Sequence, residues 1–218
     1  MGFYLVEKFN KKNLQDKYSY YAMGVDVGGT NTNIGIAGIK GNKPILLFSL
    51  NFKTKELDSL LPAIKQTLKY SKDKFDIDID IACIGAAGVV SEPGDYVELT
   101  NIDWNISAKE IMEKTSLTDV IIINDFQAIG YGINLLDAKN KNDLYVVNFK
   151  KVRQKSTKAI IGAGTGLGKS ILAFDSSIKA HVPLASEGGH SEFPVKDNFE
   201  IGLAKFIKEK MEISEPIS

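Results

Sequence analysis

A mixed α/β fold is what this sequence predicts, and three observations carry it. Near the start, residues 22–27, 32–39 and 44–52 form three short apolar segments separated by glycine turns. Farther on, segments with helical spacing alternate with a run at 77–87, which starts with aspartates alternating with isoleucine and finishes almost wholly apolar, and with the apolar run 120–123. Alternation between turns marks strands joined as hairpins, whereas continuous apolar runs mark strands buried on both faces of a parallel sheet. The expected sheet is therefore antiparallel first and parallel afterwards.

Taken in order, residues 22–27 end in Gly28-Gly29, and 32–39 alternate as the hairpin partner. Gly41-Asn42 is a turn signal before the third strand, 44–52. Residues 58–70 place Leu60, Leu61, Ile64 and Leu68 at helical spacing, with Asp58 as the expected N-cap. A helix at 107–114 separates the two buried strands. Three antiparallel strands followed by strand-helix-strand repeats describe a ribonuclease-H-like unit, expected over 21–136 after an N-terminal extension, 1–20. The polar run from Asp137 to Asp143 opens a second unit, expected as the start of a larger α/β domain over 137–218. Within it come a strand at 144–148, a basic loop at 150–158, and a strand into a second glycine loop. A return strand at 170–174 and a helix at 199–211, with Leu203, Phe206 and Ile207 on one side, complete it.

Composition narrows the partners. Across 218 residues, Lys+Arg and Asp+Glu are equal at 27 each, so no global field points to nucleic acid or an anionic membrane. A neutral small molecule suits the chain better. One cysteine, Cys83, excludes an internal disulfide and a multi-cysteine zinc site, and its apolar neighbours mark it as a buried hydrophobe. No signal-like or membrane-length apolar run occurs, and a cytoplasmic setting is expected.

The chemistry begins with two glycine-threonine loops, Asp26-Val27-Gly28-Gly29-Thr30-Asn31 and Gly162-Ala163-Gly164-Thr165-Gly166-Leu167-Gly168. A strand turning through glycines exposes successive backbone N–H groups to an anion without obstructing side chains. Asp26, at the strand end, can hold magnesium through water. Glycine pairs also make ordinary hairpin turns, but two such loops in order can grip one polyphosphate from both sides. Neither fits a Walker loop or a Rossmann fingerprint.

Asn124-Asp125 follows a buried strand and so emerges where α/β crevices bind ligands. Its carboxylate can accept the proton of a hydroxyl attacking a γ-phosphate, while Asn124 bonds neighbouring hydroxyls. Equally, Asp125 can cap the helix that begins at Phe126. Glu187-Gly188-Gly189-His190 sets a carboxylate and an imidazole around two glycines, able to read vicinal hydroxyls or simply to turn the chain. Metal binding there is disfavoured because His181, the other histidine, lies in a less constrained stretch.

These motifs, with Thr100-Asn101-Ile102-Asp103-Trp104, Ile123 to Ala128 and Gly164 to Gly168, stand in the order and approximate spacing of the bacterial-type glucokinases. The chain resembles that family, of the actin, hexokinase and Hsp70 superfold, from about Ala22 to His190. The resemblance implies an actin-like ATPase fold whose two domains flank a cleft, the second domain being incomplete here. It also implies phosphorylation of the glucose 6-hydroxyl with Asp125 as general base. Asn101, Asn124, Glu187 and His190 would hold the hexose, and Trp104 would wall the site or pack. Gly28, Gly29, Thr30, Asn31, Gly164, Thr165, Gly166 and Gly168 would hold ATP phosphates, and Asp26 would serve Mg2+. A homodimer follows from family habit alone. Thr32-Asn33 stands where many relatives carry an arginine, and the family's later sugar-binding glutamate and adenosine segment are not identifiable before Ser218. A sugar sensor without turnover, another hexose kinase, and a filament or chaperone member of the superfold are the alternatives.

Overall fold

The structure is a computed structural model and describes residues 4–9, 13–41, 43–100, 102–136, 140, 144–148, 153, 155–163, 167–186 and 194–212. The chain divides into two compact units, Met1–Lys151 and Val152–Ser218. Each is described by itself.

In the first unit, strands β1 (Tyr4–Phe9), β2 (Tyr20–Val27), β3 (Asn31–Lys40) and β4 (Lys43–Lys53) precede helix α1 (Leu61–Phe75) and strand β5 (Ile81–Ala86). Strands β6 (Gly88–Val90), β7 (Tyr96–Leu99) and β8 (Asn105–Ser107), helix α2 (Ala108–Lys114), strand β9 (Asp119–Asn124) and helix α3 (Asp125–Ile133) follow. Six strands form one sheet in the order β1-β4-β3-β2-β5-β9, and β6-β7-β8 form a small antiparallel one. The β2-β3-β4 meander is antiparallel, whereas β2, β5 and β9 run parallel. Gly41, at φ +62, makes the tight turn between β3 and β4.

Alternation decides which face is buried. Along β3, Thr32, Ile34, Ile36 and Gly38 point inward while Asn33 and Gly35 point away. The inward set meets Met23, Val25, Phe48, Leu50 and Ile84 in one core, closed by Ala63 and Ile64 of α1 and by Ala108 and Ile111 of α2. Phe48 is wholly buried and packs at 5.5 Å against Tyr70 and 5.1 Å against Phe75, so β4 and the end of α1 are locked together. Cys83 is partly buried, and that burial pushes its thiol pKa up.

Several expectations need correction. Helix α1 starts at Leu61, three residues after Asp58, and its N-cap is Leu60 without a side-chain bond. Pro62 explains the later start: in the first turn its missing N–H forfeits no helical bond. The fifth strand covers only Ile81–Ala86, although Ile77 and Ile79 ahead of it are buried. Residues 144–148 form no strand; Tyr145 and Val147 lie 91% and 86% exposed, with no partner strand among the described residues. Conversely β1, within the expected extension, pairs antiparallel with β4.

The second unit holds strands β10 (Lys158–Ala163), β11 (Leu167–Asp175) and β12 (Ala180–Leu184), an antiparallel sheet in that order, and helix α4 (Asn198–Met211). Asp197 caps α4 by accepting the Glu200 N–H at 2.8 Å. The helix buries none of its described residues. His181, expected in a less constrained stretch, sits in β12 with its ring 5.2 Å from Phe174 and Nε2 2.9 Å from the Ser156 carbonyl oxygen.

Candidate functional site

The parallel strands set the stage. Val27, Ala86 and Asn124 stand in register at the carboxyl ends of β2, β5 and β9. The first glycine loop leaves β2 there, and Asp125 begins α3 there. Loop and carboxylate therefore share one edge of one sheet, the edge at which α/β proteins bind ligands.

The loop is tied down from below. The Gly28 N–H donates to the Asn31 carbonyl at 3.0 Å, and the Thr54 N–H donates to the Thr30 carbonyl at 3.1 Å. The Thr54 hydroxyl donates to the Gly28 carbonyl at 2.7 Å, and Thr32 Oγ1 lies 2.9 Å from Thr54 Oγ1. A hydroxyl has one proton. With that of Thr54 spent on Gly28, Thr32 must be the donor of the remaining bond. Lys53 Nζ meets Asn31 Oδ1 at 2.8 Å from the neighbouring strand. Neither Gly28 nor Gly29 has a positive φ, so no unusual backbone angle calls for glycine here, whereas a Cβ on Gly28 would stand 3.1 Å from the Asn31 carbonyl oxygen. A Cβ on Gly29 would meet nothing within 4 Å, leaving open space above the loop.

Asp26 points away from the core and is exposed. Asn33 Nδ2 donates to Asp26 Oδ2 at 3.3 Å, and Asn51 Nδ2 donates to Asn33 Oδ1 at 2.6 Å. Three in-register residues of β2, β3 and β4 thus form a relay that holds the carboxylate. Asn33 belongs to the Thr32-Asn33 pair that stands where relatives were expected to carry an arginine.

At the other end of the edge, Asn124 is the N-cap of α3. Its Oδ1 accepts from the Phe126 and Gln127 N–H groups at 3.0 and 3.2 Å. Asp125 is the first helical residue, and its Oδ1 also accepts from the Phe126 N–H, at 2.8 Å. The capping role belongs mainly to Asn124, and the Asp125 Oδ2 atom has no partner among the described residues. Gly85 explains how α3 comes so close: a Cβ there would stand 3.1 Å from Ala128 Cβ and 3.8 Å from Asp125 Cα.

Beside the first loop a cleft of about 480 Å³ is lined by Gly29, Thr54, Lys55, Asp58, Asp103 and Trp104, among others. Lys55, Asp58 and Asp103 make no hydrogen bond or ion pair among the described residues. Of the remaining expected site residues, Gly168 lies in β11 opposite Gly162 of β10. Asn101, Gly164, Thr165, Gly166, Glu187 and His190 lie outside the described residues. No group of three His, Cys, Asp or Glu able to hold a metal, and no helix long and apolar enough to cross a membrane, occurs among the described residues.

Sequence motifs pointed to the loop and the carboxylates but missed Thr54, Asn33, Asn51 and Lys53. The signal was available. Counting the ladder back from the Gly41 turn, with one bulge between Ile36 and Ala37, sets Asn31 opposite Lys53 and so brings Thr54 under the loop.

Comparison with known proteins adds an independent line. The family model described as Glucokinase matches residues 23–215. A glucokinase of Synechocystis sp. is 31% identical over 201 residues, which cover 87% of this chain and 55% of that protein. The chain thus spans about half the length of the curated relatives it matches. Among solved structures, a glucokinase from an Antarctic psychrotroph superposes with a TM-score of 0.66 at 25% identity, over 89% of this chain and 58% of that one. The glucose complex of Balamuthia mandrillaris glucokinase gives 0.70 at 24% identity, over 90% and 58%.

Proposed function

Because the chain belongs to the glucokinase family, we propose that the protein it represents transfers the γ-phosphoryl group of ATP to the 6-hydroxyl of glucose. The observation that carries this reading is the shared edge: register places the first glycine loop and Asp125 at the carboxyl ends of three adjacent parallel strands. Strands lie about 4.8 Å apart, so β2 and β9 are separated by roughly 10 Å. That span suits a hydroxyl held by Asp125 and a triphosphate held at the loop.

In this reading Asp125 accepts the 6-hydroxyl proton through its unengaged oxygen as the sugar oxygen attacks phosphorus. Asn101, Asn124, Glu187 and His190 orient the hexose. Asn124 Oδ1 is occupied by the helix N–H groups, so Asn124 also fixes the start of α3. Gly28, Gly29, Thr30 and Asn31 hold the phosphates from one side, and Gly164, Thr165, Gly166 and Gly168 from the other. Asp26 fits a magnesium site of the water-mediated kind, being an exposed carboxylate steadied by a single amide donor. Bound there, magnesium neutralises charge on the phosphate oxygens. The division near residue 137 into a small domain and the start of a larger one, with the cleft between them, belongs to the same proposal. So does a homodimer.

The test is glucose 6-phosphate formation with Mg-ATP, coupled to a dehydrogenase, by the whole protein and its Asp125→Asn variant. A fall of about 10²- to 10⁴-fold in kcat is expected from loss of the base. Full turnover in the variant removes Asp125 from that role. Glucose binding by the wild type without turnover points to a sensor.

A further inference from the structure

Thr54 belongs to no motif, yet it is 1% exposed, and its side chain and backbone meet the first glycine loop at two points and Thr32, just beyond the loop, at a third. Its hydroxyl bonds the Gly28 carbonyl, its N–H bonds the Thr30 carbonyl, and its oxygen accepts from Thr32, itself fully buried. A peptide group is planar and trans, so the carbonyl of Gly28 and the N–H of Gly29 point in opposite directions. Holding the carbonyl inward turns the N–H outward. The N–H groups of Gly29 and Thr30 make no hydrogen bond among the described residues, and the space over Gly29 is open.

We propose that Thr54 is a positioning residue for phosphate binding: its hydroxyl fixes the Gly28-Gly29 peptide so that the Gly29 N–H faces the anion. Without that bond the peptide plane can rotate, and a rotated plane presents a carbonyl oxygen to the phosphate where a donor is needed. Thr32 is the second stage of the device. By donating to Thr54 it leaves the Thr54 proton no partner other than Gly28. The inference rests on the loop being a phosphate site, as proposed above.

The experiment measures Mg-ATP dissociation constants by calorimetry, and the KM for glucose, on the whole protein and on Thr54→Val, Thr54→Ala and Thr54→Ser. Thermal melts identify the folded variants. Both hydroxyl-free variants should bind Mg-ATP about tenfold more weakly, the worth of one hydrogen bond to a charged group. Their KM for glucose should stay unchanged, and serine should restore wild-type affinity. A role confined to stability would lower the melting temperature and leave nucleotide affinity alone. Wild-type affinity in a folded valine or alanine variant overturns the inference, as does a serine variant as weak as valine. A wild-type protein that does not bind Mg-ATP overturns the kinase reading together with it.

Discussion

The two glycine-threonine hairpins look alike in sequence and stand on different ground. The first, between β2 and β3, lies on a sheet with a continuous core, with Thr54 and Thr32 buried beneath its turn. The second, between β10 and β11, belongs to a three-stranded sheet in which Leu172 is the one fully buried hydrophobic residue among those described. In that same unit α4 leaves Phe199 and Phe206 77% and 60% exposed. A motif specifies which backbone groups can meet a phosphate. What ties the first loop down, Thr54 with Thr32, comes from residues outside the motif.

The sharpest way to break this contrast is to remove one large side chain from each unit. Phe48→Ala should cost about 3–5 kcal/mol, because a fully buried ring leaves a cavity, whereas Phe206→Ser should stay within about 0.5 kcal/mol. Urea unfolding of both variants decides it, and comparable losses would mean that α4 is packed more firmly than its exposure indicates. Next in size is Gly85→Ala. Its Cβ would press on Ala128, cost about 1–3 kcal/mol as overpacking, and displace Asp125 at the head of α3. Turnover should fall further than the fraction unfolded accounts for; parallel losses would show that α3 yields elsewhere. The smallest effect on stability, below about 0.5 kcal/mol, is expected for Gly29→Ala, whose new methyl meets no protein atom. Its Mg-ATP affinity should nonetheless drop, and calorimetry finding it intact would place the phosphates away from this glycine.

What could be read from the sequence follows the same division. The meander was legible because Ile34, Ile36 and their neighbours alternate between explicit turns, which leaves one register open. The start of α1 was less so, since Leu60 and Leu61 continue the apolar pattern across the boundary and the cap carries no side-chain bond. The apolar run at 144–148 has strand composition but no neighbour to pair with among the described residues, and composition alone does not supply a partner. At the site, Asp26, the glycines and Asn124-Asp125 were visible as motifs. Thr54 and the Asn51-Asn33 relay were not, because they become neighbours only through cross-strand register.

The pairing of β1 with β4 has a further consequence, for behaviour in concentrated solution. Unpaired, β4 would leave the half of its backbone donors and acceptors that face away from β3 open to any passing strand. β1 covers Phe48–Phe52 of that edge with a six-residue strand interrupted by a register shift between Val6 and Lys8. A short, irregular edge is a poor template for intermolecular pairing. The segment that carries no motif thus replaces the Phe48–Phe52 stretch of that edge with a poorer template.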